Sequence, residues 1–265
     1  MRAFFLAAGT LWQREIVRFF RQKSRVVGAI VPPILFWFLI GSGLGESFRV
    51  SPSLPGSSVP PADVNYLQYF FPGTVTLIML FTAIFSTISV IEDRHEGFLQ
   101  SVLVAPLSRL TLVLGKILGG TTLAVGQAVL FLLLAPVAGI HLPLASVPLL
   151  LLNLLVISFG LTGLGFVLAW SLDSTQGFHA IMNLLLIPMW LLSGALFPAE
   201  GAAKWIRVMM SLNPLSYGLS SLQHHLFVGG HPLATGMASD FLGLAVSSGF
   251  AVIMFGASVW VVERR

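Results

Sequence analysis

Three places in the 265-residue chain set side chains at spacings that chemistry uses, and each departs from its pattern. His95-Glu96 starts the zinc-protease sequence H-E-x-x-H, where two imidazoles one helical turn apart hold the metal, but the last position is Leu99. Gly115-Lys116 matches the end of a phosphate-cradling G-x-x-x-x-G-K-[ST] loop, yet Ile117 follows and Leu110 occupies the first glycine position. Ser220, followed by His224 and His225, offers a nucleophile with a base near it. Such a pairing is common by chance, and no second glycine accompanies Gly218. The two histidines have no carboxylate or Cys close in sequence, so they read as lining a wet, partly buried turn. No catalytic residue, metal or cofactor is expected on this chain, and it does not read as an enzyme.

The charges define what surrounds these positions. Asp, Glu, Lys and Arg make up 9% of the chain, against about 25% in a soluble domain. Hydrophobic residues make up 56%, and Cys is absent, so the excess apolar surface must face lipid. Crossing about 30 Å of hydrocarbon takes about 20 helical residues, and uncharged stretches of that length place six transmembrane helices. They are 26–45, 66–91, 112–139, 146–170, 178–197 and 241–262. The third and fourth share the uncharged stretch 117–172, which Pro143 and Pro148 break. Residues 208–239 are uncharged but carry Asn213-Pro214, His224, His225, Gly229-Gly230 and His231-Pro232. That polarity argues against a seventh span, and 198–230 reads as short re-entrant helices before the last one.

The expected interiors of the spans hold no Asp, Glu, Lys or Arg. Ion-coupled carriers and voltage sensors keep such groups near mid-membrane, so these classes lose weight. Lys and Arg set the orientation. With both termini cytoplasmic, the inner side holds Arg2, Arg14, Arg18, Arg21, Lys23, Arg25, Arg94, Arg109, Lys116, Arg264 and Arg265, and the outer side Arg49, Lys204 and Arg207. The net charge of +4 follows from this bias and needs no nucleic acid to explain it.

Two cytoplasmic elements stand out. In residues 1–25, Phe5, Trp12, Ile16, Phe19 and Phe20 share one side of a helical wheel, while Arg14, Arg18, Arg21 and Arg25 cluster opposite. This is an amphipathic interfacial helix, aromatic side in the acyl boundary and basic side toward lipid headgroups. It serves either as an anchor alone or as a lever against a cytoplasmic partner, and Trp12, Arg14, Arg18, Phe19 and Arg21 are its marked residues. The 26–265 remainder reads as one six-span domain, with a loop at 91–110. That loop is charged on entry at Glu92 and Glu96, then apolar at Phe98, Leu99, Val102 and Leu103, and Pro106 stops its helix. It either docks in a partner's groove or packs on its own spans. Gly115 and Gly119 allow close helix approach within the chain, and Gln127, Asn153 and Asn183 are amides expected to bond between helices.

Within this loop a family pattern becomes visible. Glu96-Gly-Phe-Leu99, Leu103-Val-Ala-Pro106-Leu-Ser-Arg109 and Gly115-Lys116 resemble the cytoplasmic-loop signature of type-2 ABC exporter permeases, above all the drug-resistance and lipo-oligosaccharide branch. Pro32-Pro33, Gly41-Ser-Gly-Leu-Gly45, Phe70-Phe-Pro-Gly73, Leu192-Ser-Gly-Ala-Leu-Phe-Pro198 and Asn213-Pro-Leu-Ser-Tyr217 agree. The resemblance implies an all-α permease of the bacterial inner membrane. It would work with two separate ATP-binding cassette subunits, which carry the ATP and Mg, and with a second permease copy, a homodimer in preference to a heterodimer. The implied substrate is a drug, lipid or lipid-linked glycan moved out of the cytoplasm or inner leaflet. On that reading Glu92, Glu96, Gly97, Phe98, Leu99, Leu103 and Arg109 couple to the ATPase, with Glu96 and Arg109 making polar contacts. Phe98, Leu99 and Leu103 would fill the partner's groove. Phe70, Asn183 and Met189 exemplify a substrate path. The alternative is a stand-alone secondary carrier or channel.

Overall fold

A computed structural model describes residues 2–43, 66–105, 108–227 and 237–264, which are helical with no strand among them. Residues 44–45 of the first expected span, Arg49, Pro106, and 228–230 with His231-Pro232 fall outside the described residues. In chain order the helices are α1 (Arg2–Arg21), α2 (Lys23–Gly43), α3 (Tyr66–His95), α4 (Phe98–Val104), α5 (Arg109–Leu132), α6 (Val147–Ser171), α7 (Thr175–Leu191), α8 (Lys204–Leu212), α9 (Pro214–Leu226) and α10 (Asp240–Glu263).

The central helix is α3. Phe70, Phe71, Val75, Met79, Ala83 and Ile84 have no accessible surface, although they point to different sides of the helix. A helix apolar all round must be covered all round, and α2, α5, α6 and α7 cover it. In contrast, only 22% of the most apolar stretch of α2, and likewise of α10, is buried, leaving side chains such as Phe38 and Ile253 to face lipid. Behind α3, α6 packs along α10, and α9 sits across both.

Among the described residues, five helices have the length and apolarity to cross a bilayer: α2, α3, α5, α6 with the turn before it, and α10. The fifth expected span differs. α7 has 17 residues, about 26 Å at 1.5 Å per residue. It ends at Leu191, and the chain then turns through Gly194 at φ 93°, so the helix does not reach residue 197. The third expected span is also divided: α5 stops at Leu132, and a 3-10 turn at Ala135–Ala138 completes it. The segment expected to be re-entrant breaks into α8 and α9 at Asn213. Its Oδ1 accepts from the Leu215 amide, capping α9, and its Nδ2 donates to the Met189 carbonyl at 2.6 Å.

α1 lies along α5, and glycine makes this possible. A Cβ on Gly115 would stand 2.7 Å from Cβ of Leu11, and one on Gly119 2.6 Å from Cβ of Glu15. The expected small-residue contact is present, with the N-terminal helix as its partner. Leu11 and Phe19 of α1 are buried, and Trp12 donates its indole N–H to Thr122 of α5 at 3.0 Å. Phe5 and Phe20 stay exposed.

Candidate functional site

Where α1 crosses the ends of α3 and α5, seven charged side chains meet. Arg14 and Arg18 are one turn apart on α1, so they project on the same side, with Glu15 next to them. Arg14 grips Asp93 with two parallel bonds, Nη2 to Oδ1 at 2.6 Å and Nη1 to Oδ2 at 2.9 Å. Arg18 also bonds Asp93, and its Nη2 reaches Glu92 at 2.8 Å and Glu96 at 3.0 Å. From α5, Lys116 contacts Asp93 and lies 2.6 Å from Glu15, while Ser89 donates to Glu15 at 2.5 Å. Asp93, Glu15 and Lys116 are almost fully buried.

Taking an ion out of water costs several kcal/mol unless excellent geometry offsets it, and here each buried charge meets an opposite one. The Asp93 hydrogen bond raises the Arg14 pKa above its ordinary value, against the lowering effect of burial. The basic side of α1 is therefore divided. Arg14 and Arg18 turn inward to carboxylates, not out to headgroups as the wheel alone suggested, because Lys116 alone cannot balance the two buried carboxylates of Asp93 and Glu15. Arg21 remains exposed. Lys116 marked the border of an uncharged stretch in the sequence. It is in fact two turns inside α5, about 10 Å from the helix start.

The network reaches α4 through one contact. Arg14 stacks over the Phe98 ring, 3.7 Å from its centroid, and Gly97, at φ 75°, makes the sharp turn between α3 and α4 that only glycine adopts freely. Leu99, expected in a partner's groove, is 3% exposed and belongs to this chain's core. Leu103, one turn beyond Leu99 and about 40° round the helix from it, is 41% exposed, and Val104, about 140° round, is 87% exposed. Arg109, expected to contact a partner, bonds within the chain through one nitrogen. Its Nη1 donates to the Val262 and Glu263 carbonyls at 2.9 and 2.6 Å, closing the C-terminal end of α10 where carbonyls lack helical partners. Arg94, which carried no expectation, does the same for α6, reaching the Trp170 and Leu172 carbonyls and Asp173.

The other sequence candidates are scattered. Phe70 is fully buried, stacked on Tyr66 and edge-on to Trp190. Phe178, Met182, Leu186 and Trp190 recur every four residues as the buried side of α7, and Asn183, about 100° round the helix from Met182, is exposed. Met189 lines a small cavity with Ile157, Leu215 and Phe250. Gln127 and Asn153 are buried as expected, accepting from Thr82 and donating to the Gly218 carbonyl. Ser220 exchanges bonds with the backbone of Ala238, and His224 bonds the Ser220 carbonyl, so no base addresses that hydroxyl. His225 lies 3.2 Å from Asp240, which also accepts from Ser221; burial lowers the His225 pKa. A wider cleft of about 350 Å³ opens between α2, α3 and α7, lined by Ser24, Gly28, Phe85, Ile88, Glu92, Thr175 and His179.

A family model described as ABC-2 type transporter matches residues 7–227, from α1 to the end of α9. The chain belongs to that family. Among this ABC-2 chain's relatives, the putative transport permease ycf38 of Cyanophora paradoxa is 27% identical over 216 residues, 80% of this chain and 71% of that protein. Nodulation protein J of Sinorhizobium fredii is 24% identical over 263 residues, 96% and 92% of the two chains. The probable multidrug ABC transporter permease YbhR of Escherichia coli is 27% identical over 158 residues, 58% of this chain and 42% of that protein. The resemblance seen in the loop residues is thus borne out. ABC-2 membership makes this chain a membrane transport permease and implies an ATP-binding partner subunit.

Proposed function

We propose that this ABC-2 chain is the permease subunit of an ATP-driven exporter for lipophilic or amphipathic compounds. Both termini and α4 lie in the cytoplasm of a bacterial inner-membrane assembly of two permease copies and two ATP-binding subunits, and α7 with the turns after it completes a sixth crossing. α4 is the docking element, and Leu103 and Val104, not Leu99, enter the partner's groove. Glu92 and Arg109 act within the chain, while Glu96, more than half exposed, faces the partner beside α4. ATP-driven closure of the partners pushes α4, and the charge network carries that push to α1, α3 and α5 together. The substrate enters at the cleft between α2, α3 and α7, whose lining of apolar side chains, hydroxyls, His179 and Glu92 suits an amphiphile.

The observation that supports this reading best is the Arg14 link. A single guanidinium holds Asp93 of α3 and covers Phe98 of α4, so the loop and the N-terminal helix cannot shift independently. The test is Val104→Asp in the assembly purified with its ATP-binding subunits. The variant should fold and hydrolyse ATP at the basal rate but lose substrate-stimulated hydrolysis and export. Wild-type stimulation and export in that variant would refute the docking role. Uphill transport by the chain alone in liposomes, driven by an ion gradient without ATP, would refute the exporter reading.

A further inference from the structure

The cleft between α2, α3 and α7 grades from polar to apolar along its depth. Ser24 lies in the first turn of α2, Glu92 in the last turn of α3 and Thr175 at the start of α7, so these polar side chains share one end of it. Gly28, Ile88 and Phe85 line it one or two turns further into the same helices. His179, one turn into α7, holds its ring 5.9 Å from that of Phe85. Among the described residues, no group bonds the Ser24 or Thr175 hydroxyl or a ring nitrogen of His179. Glu92 accepts from Arg18 Nη2 at 2.8 Å, and no other lining residue carries a fixed charge.

We infer that this cleft takes a single-chain amphiphile with an uncharged, hydroxyl-bearing head, such as a glycerol monoether. Two hydroxyls and an imidazole offer both donors and acceptors, the same mixture that a polyol head presents. An ionic head would give up its hydration to enter a cleft whose one carboxylate already has a cation, so its desolvation cost would stay uncompensated. The volume of about 350 Å³ is at the low end for ligand sites, which suits one head and the upper part of one chain. Calling this molecule the substrate rests on the entry reading proposed above; the preference for its head stands on the lining alone.

The test is binding of tritiated dodecylglycerol to the full chain with its ATP-binding subunits in nanodiscs, specific binding being the part that excess unlabelled dodecylglycerol displaces. Dodecyl phosphate and dodecyltrimethylammonium, which have the same chain, should compete about tenfold less well at equal concentration in the membrane. A Cβ on Gly28 would meet no atom within 4 Å, so Gly28→Leu should fill the cleft without moving its walls and abolish specific binding. Thr175→Val keeps the shape and removes one hydroxyl, and should weaken binding about fivefold. Unchanged unfolding midpoints would show that both variants fold. Competition by the cation equal to or better than that of dodecylglycerol would overturn the inference, because Glu92 would then govern the cleft. So would full specific binding in both variants, which would place the ligand elsewhere. Binding in the expected order without ATP-dependent transport of dodecylglycerol in inverted vesicles would refute the entry reading and leave the inferred head preference standing.

Discussion

Lys116→Met should expose how the charge network is built. In the native chain Lys116 sits between Glu15 and Asp93, its side chain 3% exposed. Removing it affects the two carboxylates unequally. Asp93 keeps both arginines, whereas Glu15 keeps the Ser89 hydroxyl and a longer contact to Arg14 at 3.4 Å. Breaking a buried pair by deleting one partner costs about 3–5 kcal/mol, because the other charge is left uncompensated. Most of that cost falls on Glu15. Glu15→Gln alone should cost about 1–3 kcal/mol, since it weakens the Lys116 contact but leaves an amide able to bond Ser89. The double variant should then lose less than the sum of the two singles by at least about 1 kcal/mol, with the second change relieving the first. The assay is equilibrium unfolding in mixed micelles of the wild type, both singles and the double. Losses that add to within about 0.5 kcal/mol would show that the two residues do not sense each other, and the network as described would be wrong.

Three further outcomes follow from particular contacts. Gly119→Val should push α1 off α5, because its Cβ would overlap Glu15, and the Trp12 emission should shift to the red as its bond to Thr122 breaks; an unshifted spectrum would refute the close packing. Arg109→Ala should fray the last turn of α10, seen as faster amide hydrogen exchange at residues 260–264, with a stability loss of about 1 kcal/mol. Burial lowers the His225 pKa from 6.5 although Asp240 acts in the opposite direction and His224 adds to the lowering. The open form therefore takes up a proton first, so the packing of α9 on α10 is most stable above that value and weakens as the pH falls through it. Protection of α9 amides, corrected for intrinsic exchange, should drop between pH 7.5 and 5.5 in the wild type and stay level in His225→Gln.

Much of this molecule was legible because lipid imposes simple arithmetic. A charge in hydrocarbon is expensive, so long uncharged stretches marked α2, α3, α5, α6 and α10, and Pro143 with Pro148 marked the break before α6. The loop residues Glu96 to Arg109 carried the family resemblance. The stop of α7 at Leu191 was not legible, since residues 192–197 are as apolar as a span and only the backbone turn at Gly194 ends the helix.

Side-chain partners belong to the second kind of knowledge. A helical wheel sorts Arg14 and Arg18 onto the polar side of α1 but does not say that Asp93, 79 and 75 residues away, will be there to meet them. Likewise Leu99, Leu103 and Val104 are equivalent in composition, and only the placement of α4 against α3 decides that the first is core and the others are surface. Solvent preference is local and can be read residue by residue. Pairing between distant segments depends on where close packing brings them, and for α1 that was fixed by two glycines on α5 which admit a helix where any larger residue would hold it away.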